Sequence, residues 1–256
     1  MHYHLFGRTL AGIALYIALA SPGQAQSLDW EGYQWTVNPS YGIGQGIVHG
    51  DPSNVYVDAS GYLHLKLSNV GGKWSGAEIS TDKDFSFGHF YWVFSGPLTA
   101  MEPQDVLAGF TYGPQHKNGI DGQNEIDVEF SKWNNSTNAN NCDFDIYPPP
   151  GAKKGENVEH DWNYTGSDVA TVRIDWTSSQ VTESVWNGVV PVNAPTTTAA
   201  ATWTYDGSTH TIPQTACPFM FNFWVFKALP TTPVDALVRK FQYIPDAPAT
   251  KPEIRH

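Results

Sequence analysis

The sequence predicts an all-β protein, a sandwich or a barrel, on three observations. Short runs rich in β-branched and aromatic residues recur along the chain, with Gly, Pro, Asn and Asp clustered between them. No long amphipathic helix follows the first 25 residues, and many short strands without helices leave a sandwich or a barrel. Charged residues are 15% of the chain, below the roughly 25% of an average globular protein, while aromatics are 14% and include ten Trp. That balance suits a secreted β-protein.

The strands are read in order. Asn54 to Asp58 and Tyr62 to Leu67 flank Ala59-Ser60-Gly61, a hairpin candidate. Phe87 to Ser95 is aromatic-rich, and Val106 to Tyr112, Asn124 to Phe130 and Cys142 to Tyr147 follow. Thr171 to Trp176 alternates. Asn187-Gly188 predicts a hairpin between Gln180–Trp186 and Val189–Val192, since Asn-Gly suits a two-residue turn. Phe219 to Phe226 and Leu237 to Ile244 close the series. Asn118 to Gln123, Asn134 to Asn141 and Pro148 to Gly155 read as loops flanking the Asn124 strand.

The ends carry separate signals. Arg8, the uncharged apolar run Leu10 to Ala20 and the small residues around Gly23-Gln24-Ala25 have the form of an export signal over residues 1–25. The apolar run is too short to span a membrane, which takes about 20 residues. One domain is expected over residues 26–245, with a disordered, Pro-rich tail over 246–256. Removing the leader takes away Arg8 and no acid, moving the formal charge from −11 to −12. Such a chain, with no basic cluster, is a poor nucleic-acid binder and is repelled by acidic polysaccharides. A neutral glycan is favoured, no membrane contact is expected after cleavage, and a monomer is expected. An oxidising compartment permits a Cys142–Cys217 disulfide; the alternative is a reduced, buried pair.

The informative segment is Asn124-Glu125-Ile126-Asp127-Val128-Glu129-Phe130. On a strand, alternate side chains share a face. Ile126, Val128 and Phe130 therefore face a core, and Glu125, Asp127 and Glu129 form a row on the other side. Three acids in a row repel one another, so the charge is used, neutralised or solvated. One use is glycoside hydrolysis, which needs one carboxyl to protonate the leaving oxygen and, in retaining enzymes, another to attack the anomeric carbon. Asp127 between them would raise the acid's pKa by like-charge coupling. The alternatives are a solvated strand face and a calcium-binding carboxylate cluster.

Glu-Ile-Asp-Val-Glu-Phe resembles the signature of glycoside hydrolase family 16, in the unbulged form of lichenases and xyloglucan transglycosylases. The resemblance implies a concanavalin A-like jelly-roll sandwich with an open concave substrate cleft, and retaining endo-hydrolysis of β-linked glycans. By motif, Glu125 resembles the nucleophile, Glu129 the acid/base and Asp127 the assisting acid. Gly76-Ala77-Glu78-Ile79 resembles the strand with a sugar-binding glutamate, which makes Glu78 a substrate contact. Phe110-Thr111-Tyr112 and Phe144-Asp145-Ile146-Tyr147 resemble the strands on either side of the signature, adding Tyr112, Asp145 and Tyr147. Asn222 and Trp224 share the face opposite Phe219, Phe221 and Phe223, as a cleft pair should. Trp133 stacks on sugar or pins its loop, and Tyr112, Tyr147 and Trp224 are equally readable as packing aromatics. Three positions depart from the lichenase pattern: Asp145 stands where lichenases carry an amide, Ser80 where an arginine is common, and Gln123 where an aromatic is common. The likeness implies no redox or organic cofactor and allows a structural calcium whose ligands the sequence does not name. Expected activities are hydrolysis of mixed-linkage β-1,3-1,4-glucan or β-1,3-glucan, transglycosylation on the same glycans, or glycan binding without catalysis.

Overall fold

A computed structural model describes residues 26–113, 124–147, 158–208 and 211–246. Strands β1 (Gln26–Trp30) and β2 (Tyr33–Val37) join through Glu31 and Gly32, both at positive φ (51° and 81°), as a tight two-residue hairpin requires. There follow β3 (His49–Gly50), β4 (Val55–Val57), β5 (Leu63–Val70), β6 (Lys73–Phe85), β7 (Gly88–Ser95) and β8 (Asp105–Thr111). Then come β9 (Ile126–Phe130), β10 (Cys142–Ile146), β11 (Val158–Trp162), β12 (Val169–Trp176) and β13 (Val181–Asn187). The last are β14 (Ala201–Tyr205), β15 (Cys217–Val225) and β16 (Val234–Pro245). The expected hairpin around Ala59-Ser60-Gly61 is present: β4 pairs with β5, and the Asp58 carboxylate accepts from the Ser60 and Tyr62 amides at 2.8 and 2.9 Å.

The strands lie in two packed layers, a jelly-roll sandwich. One runs β11-β10-β9-β8-β15-β6-β2-β1, the other β4-β5-β16-β7-β12-β13-β14. The far ends of β5 and β6 pair through Ser68–Val70 and Lys73–Ser75 and stitch the layers together. Every pairing of named strands is antiparallel except β3 with β6. Period-two alternation aims Phe219, Phe221 and Phe223 of β15 inward against Phe90, Trp92 and Phe94 of β7, all fully buried. Their rings meet across the layers, Phe90 stacked on Phe219 at 5.4 Å and Phe94 edge-on to Phe221 at 5.8 Å. Each such side chain contributes about 1.5–3 kcal/mol by leaving water.

One core position breaks the alternation of chemistry. Glu183 of β13 stands opposite Ile174 of β12, which stands opposite Phe90 of β7, so the carboxyl faces the interior. It is 0% exposed and neither oxygen has a hydrogen-bond partner. Burial first, then the charges of Asp145 and Asp143, push its pKa well above the carboxylate range.

The structure corrects the hairpin expected at Asn187-Gly188. Gly188 has the required positive φ of 75°, but Val189–Val192 does not return along β13. Pro191 and Pro195 lack the N–H a ladder needs. Instead the Gly188 amide donates to the Val169 carbonyl at 2.7 Å, and the Val190 amide to the Thr171 hydroxyl at 3.1 Å. Arg173 Nη1 holds the Val192 and Ala194 carbonyls at 2.9 and 2.8 Å. The partner of β13 is β14, with hydroxyl pairs Thr182–Thr204 and Ser184–Thr202 at 2.8 and 2.9 Å.

Cys142 and Cys217 are both free and buried. They begin β10 and β15, which lie three strand spacings apart at about 4.8 Å each. Cys142 is level with Phe130, Leu107 and Phe223, while Cys217 lies six residues back along β15. The separation is far beyond the roughly 4.4–6.8 Å a disulfide spans between Cα atoms. The expected leader over residues 1–25, Gln123, the loops expected over 118–123 and 148–155, and residues 247–256 of the expected tail lie outside the described residues.

Candidate active site

The register of five strands builds the site. Directly opposed residues in an antiparallel pair share a face. One row across the outer face of the β9 layer therefore reads Glu78, Asn222, Ala108, Glu129, Asp143, through β6, β15, β8, β9 and β10. The next reads Ser80, Met220, Phe110, Asp127, Asp145. Beneath them Ile126, Val128 and Phe130 are fully buried, as the alternation predicts. Ala108 is the small residue in the first row, and it leaves a gap between Asn222 and Glu129.

The acid row is formed, but its first member sits differently from the sequence expectation. The strand begins at Ile126, and Glu125 precedes it. Asn124 adopts a left-handed φ of 56°, and the Thr111 hydroxyl donates to its carbonyl at 2.9 Å. The Tyr147 amide donates to the Glu125 carbonyl at 2.9 Å, so Glu125 stays aligned with the end of β10. Glu125 and Glu129 are half-buried, whereas Asp127 is only 3% exposed.

Electrostatics follow from burying these acids together. Burial raises the pKa of Asp127, and the charges of Glu125, Glu129, Asp145 and Glu183 add to it. Glu129 is raised by burial, then by Asp145 and Glu125. A carboxyl that holds its proton near neutrality is what a general acid needs. Tyr147 is likewise raised by burial and the surrounding acids, Asp145 foremost.

Glu78 lies at the far end of the row. Asn38 Nδ2 donates to its Oε1 at 2.7 Å, and the Asn222 side chain also hydrogen-bonds it. Burial raises the Glu78 pKa, and these two amides offset part of that rise. Asn38 Oδ1 in turn accepts from the Ser40 and Tyr41 amides at 3.1 and 2.8 Å, fixing the loop over this end. Asn222 is 5% exposed, with Oδ1 unpartnered.

The aromatic candidates divide. Trp133, at a left-handed φ of 52°, is half-buried, donates Nε1 to Asp143 Oδ2 at 3.3 Å and packs edge-on to Trp224 and Phe226. Trp224 shares the outer face with Asn222 but is only 4% exposed. The loop through Gly44 and Gly46 lies on its indole, so closely that a Cβ on Gly46 would come within 2.6 Å of the ring. Its packing role is therefore evident. Tyr112 follows β8, half-buried and edge-on to Phe110 at 6.2 Å, and Tyr147 follows β10 beside the acids.

Asp143, Asn38 and Tyr41 were missed in the sequence. Asp143 precedes Asp145 by two residues and shares its face, but its place opposite Glu129 appears only once β9 and β10 are in register. Asn38 and Tyr41, the latter 69% exposed, come from a loop with no local motif. Among the described residues, no group of three His, Cys, Asp or Glu side chains is arranged to hold a metal ion.

Solved structures share this fold. The Bacteroides ovatus mixed linkage glucan GH16 protein in complex with a G4G4G3G product superposes with a TM-score of 0.63 at 17% identity, over 82% of this chain and 94% of that one. A Bacillus licheniformis β-glucanase gives 0.59 at 20% identity, covering 88% and 94%. The laminarinase catalytic domain of Thermotoga maritima gives 0.60 at 13% identity, covering 84% and 92%. No protein-family model and no curated sequence matches the chain.

Proposed function

We propose that this chain is a glycoside hydrolase of family 16 that cleaves a neutral β-glucan internally, with retention of anomeric configuration. The observation that carries the reading is Asp127 and Glu129 on the outer face of β9, with Glu125 just before the strand, above the buried Ile126, Val128 and Phe130, and with Glu129 in line with Glu78 and Asn222. Glycan hydrolases with the same fold, named above, support it.

In the first step the Glu125 carboxylate attacks the anomeric carbon. The glycosidic C–O bond breaks, and Glu129 delivers its proton to the departing oxygen. A glycosyl ester on Glu125 results. In the second step Glu129, now a carboxylate, takes a proton from water, whose oxygen displaces Glu125 and regenerates both groups. Asp127 lies between the pair, and its burial and the charges of Glu125 and Glu129 hold its own proton on. Glu78 and Asn222 bind sugar hydroxyls further along the row. An acid-lined face disfavours uronic or sulfated glycans. Export by the leader over residues 1–25 would place the enzyme with its polymeric substrate.

The test is release of reducing sugar from barley mixed-linkage glucan, laminarin and xyloglucan by the purified protein lacking residues 1–25. Release from one of them names the substrate. Oligosaccharide products longer than the donor fragments would instead mark a transglycosylase. A folded protein silent on all three, yet retained by immobilised glucan, would overturn the hydrolase reading in favour of glycan binding.

A further inference from the structure

Asp143 is a carboxyl for which the mechanism above has no task. It stands directly opposite Glu129 on the same face, and opposed Cβ atoms in such a pair lie about 4.5–5.5 Å apart. It is 5% exposed, so water does little to separate the two charges. The ion pairs that Lys and Arg make among the described residues are Arg173–Asp175 and Lys240–Glu31, both elsewhere. The Trp133 indole donates to Asp143 Oδ2 at 3.3 Å. Among the described residues, the charged groups that act on it are acidic: Glu129 from β9, Asp145 from its own strand, Asp161 from β11 and Glu183 from across the sandwich.

We infer that Asp143 is a positioning residue for Glu129, the two carboxyls forming one pair that holds a single proton between them through the working pH range. The inference rests on the reading of Glu129 as the proton donor. Two carboxyls this close, one buried and one half-buried, with no Lys or Arg ion pair to either among the described residues, do not both ionise readily, so they lose their protons in two separated steps. Burial, then the Glu129 and Asp145 charges, hold the proton on Asp143 upward, while the indole N–H works the other way. The shared proton keeps Glu129 competent as an acid at a pH where an isolated glutamate would be ionised. Trp133 holds Asp143 Oδ2 and so fixes the orientation of that carboxyl. Trp133 thereby acts through the proton chemistry of the site.

Two readouts test this. The basic limb of the kcat/KM profile reports the free enzyme's essential acid. In Asp143→Asn, an amide of the same shape, that limb is expected to move to lower pH by about one unit or more, because a neutral neighbour no longer opposes ionisation of Glu129. A purely structural role would lower activity equally at all pH, and an unmoved limb overturns the inference. The second readout needs no activity. The Trp133 indole 1H–15N resonance follows the protonation of Asp143, and in Glu129→Gln its midpoint is expected to fall by about one unit or more. A midpoint indifferent to Glu129→Gln overturns the pairing, and it decides the question if Asp143→Asn fails to fold. Absence of activity in the parent protein on all glycans would strike the proposed function alone and leave the indole titration standing.

Discussion

Replacing Glu183 by methionine is expected to stabilise the protein, and to do so more as the pH rises. The carboxyl is fully enclosed, both oxygens lack partners, and burial together with Asp145 and Asp143 raises its pKa. In the folded state it therefore keeps its proton, while in the unfolded chain it ionises in the ordinary carboxylate range. The unfolded state releases the proton first, so stability falls as pH rises from that range towards the raised value, and is flat above it. Each pH unit in that window costs about 1.4 kcal/mol. Within that window the variant gains about that much on the parent per pH unit, which for a domain of this size is about 3–6 °C in Tm. Methionine has a similar reach and leaves no polar atom unsatisfied. Calorimetric melts of both proteins from pH 5 to pH 8 measure the difference. A Tm offset that does not change with pH, or a parent more stable than the variant at pH 7, would refute the reasoning.

Two further substitutions probe the loop over the site. Gly46→Ala places a methyl 2.6 Å from the Trp224 ring and 2.9 Å from the Ile43 and Val225 carbonyl oxygens. Two of those neighbours are backbone, so a cost of about 1–3 kcal/mol is expected, read as a lower Tm with altered tryptophan emission; a neutral substitution would mean the loop does not seat on Trp224. Asn38→Ala removes the 2.7 Å donor to Glu78 and the acceptor for the Ser40 and Tyr41 amides. The Glu78 pKa then rises further, and KM is expected to increase about tenfold, roughly 1.4 kcal/mol of binding, with kcat much less affected; steady-state kinetics that lower kcat alone would remove Glu78 from substrate binding.

The site was legible in the sequence to the extent that it lies on one strand. Alternation along Glu125 to Phe130 separated the acids from Ile126, Val128 and Phe130 with no knowledge of neighbours; those three are fully buried, but so nearly is Asp127, which the alternation alone did not foretell. Asp143 could not be placed, because its meaning comes from a cross-strand register that no local pattern encodes. Glu183 was open to the same alternation: period two puts it on one face with Val181 and Val185, all fully buried, and its charge masked a core position. At Asn187-Gly188 the turn chemistry was correct and the pairing was not. The left-handed glycine is there, but Pro191, Pro195 and the hydrogen bonds of Thr171 and Arg173 direct the chain across its neighbours before β14 takes the place beside β13. β1 and β2 were missed because each is five residues long and alternates polar with apolar too briefly to stand out. Asn38 and Tyr41 carry no local signature; the Asn38–Glu78 contact spans 40 positions and exists only after folding.

The central claim is that Glu125 attacks carbon while Glu129 supplies the proton, and the anomer formed first tests it most directly. Proton NMR of a mixed-linkage glucan digest, recorded before mutarotation, should show the β-anomer of the product first, with the signal absent in Glu125→Gln. An α-anomer appearing first, or hydrolysis undiminished in Glu125→Gln, would contradict double displacement through this row of acids.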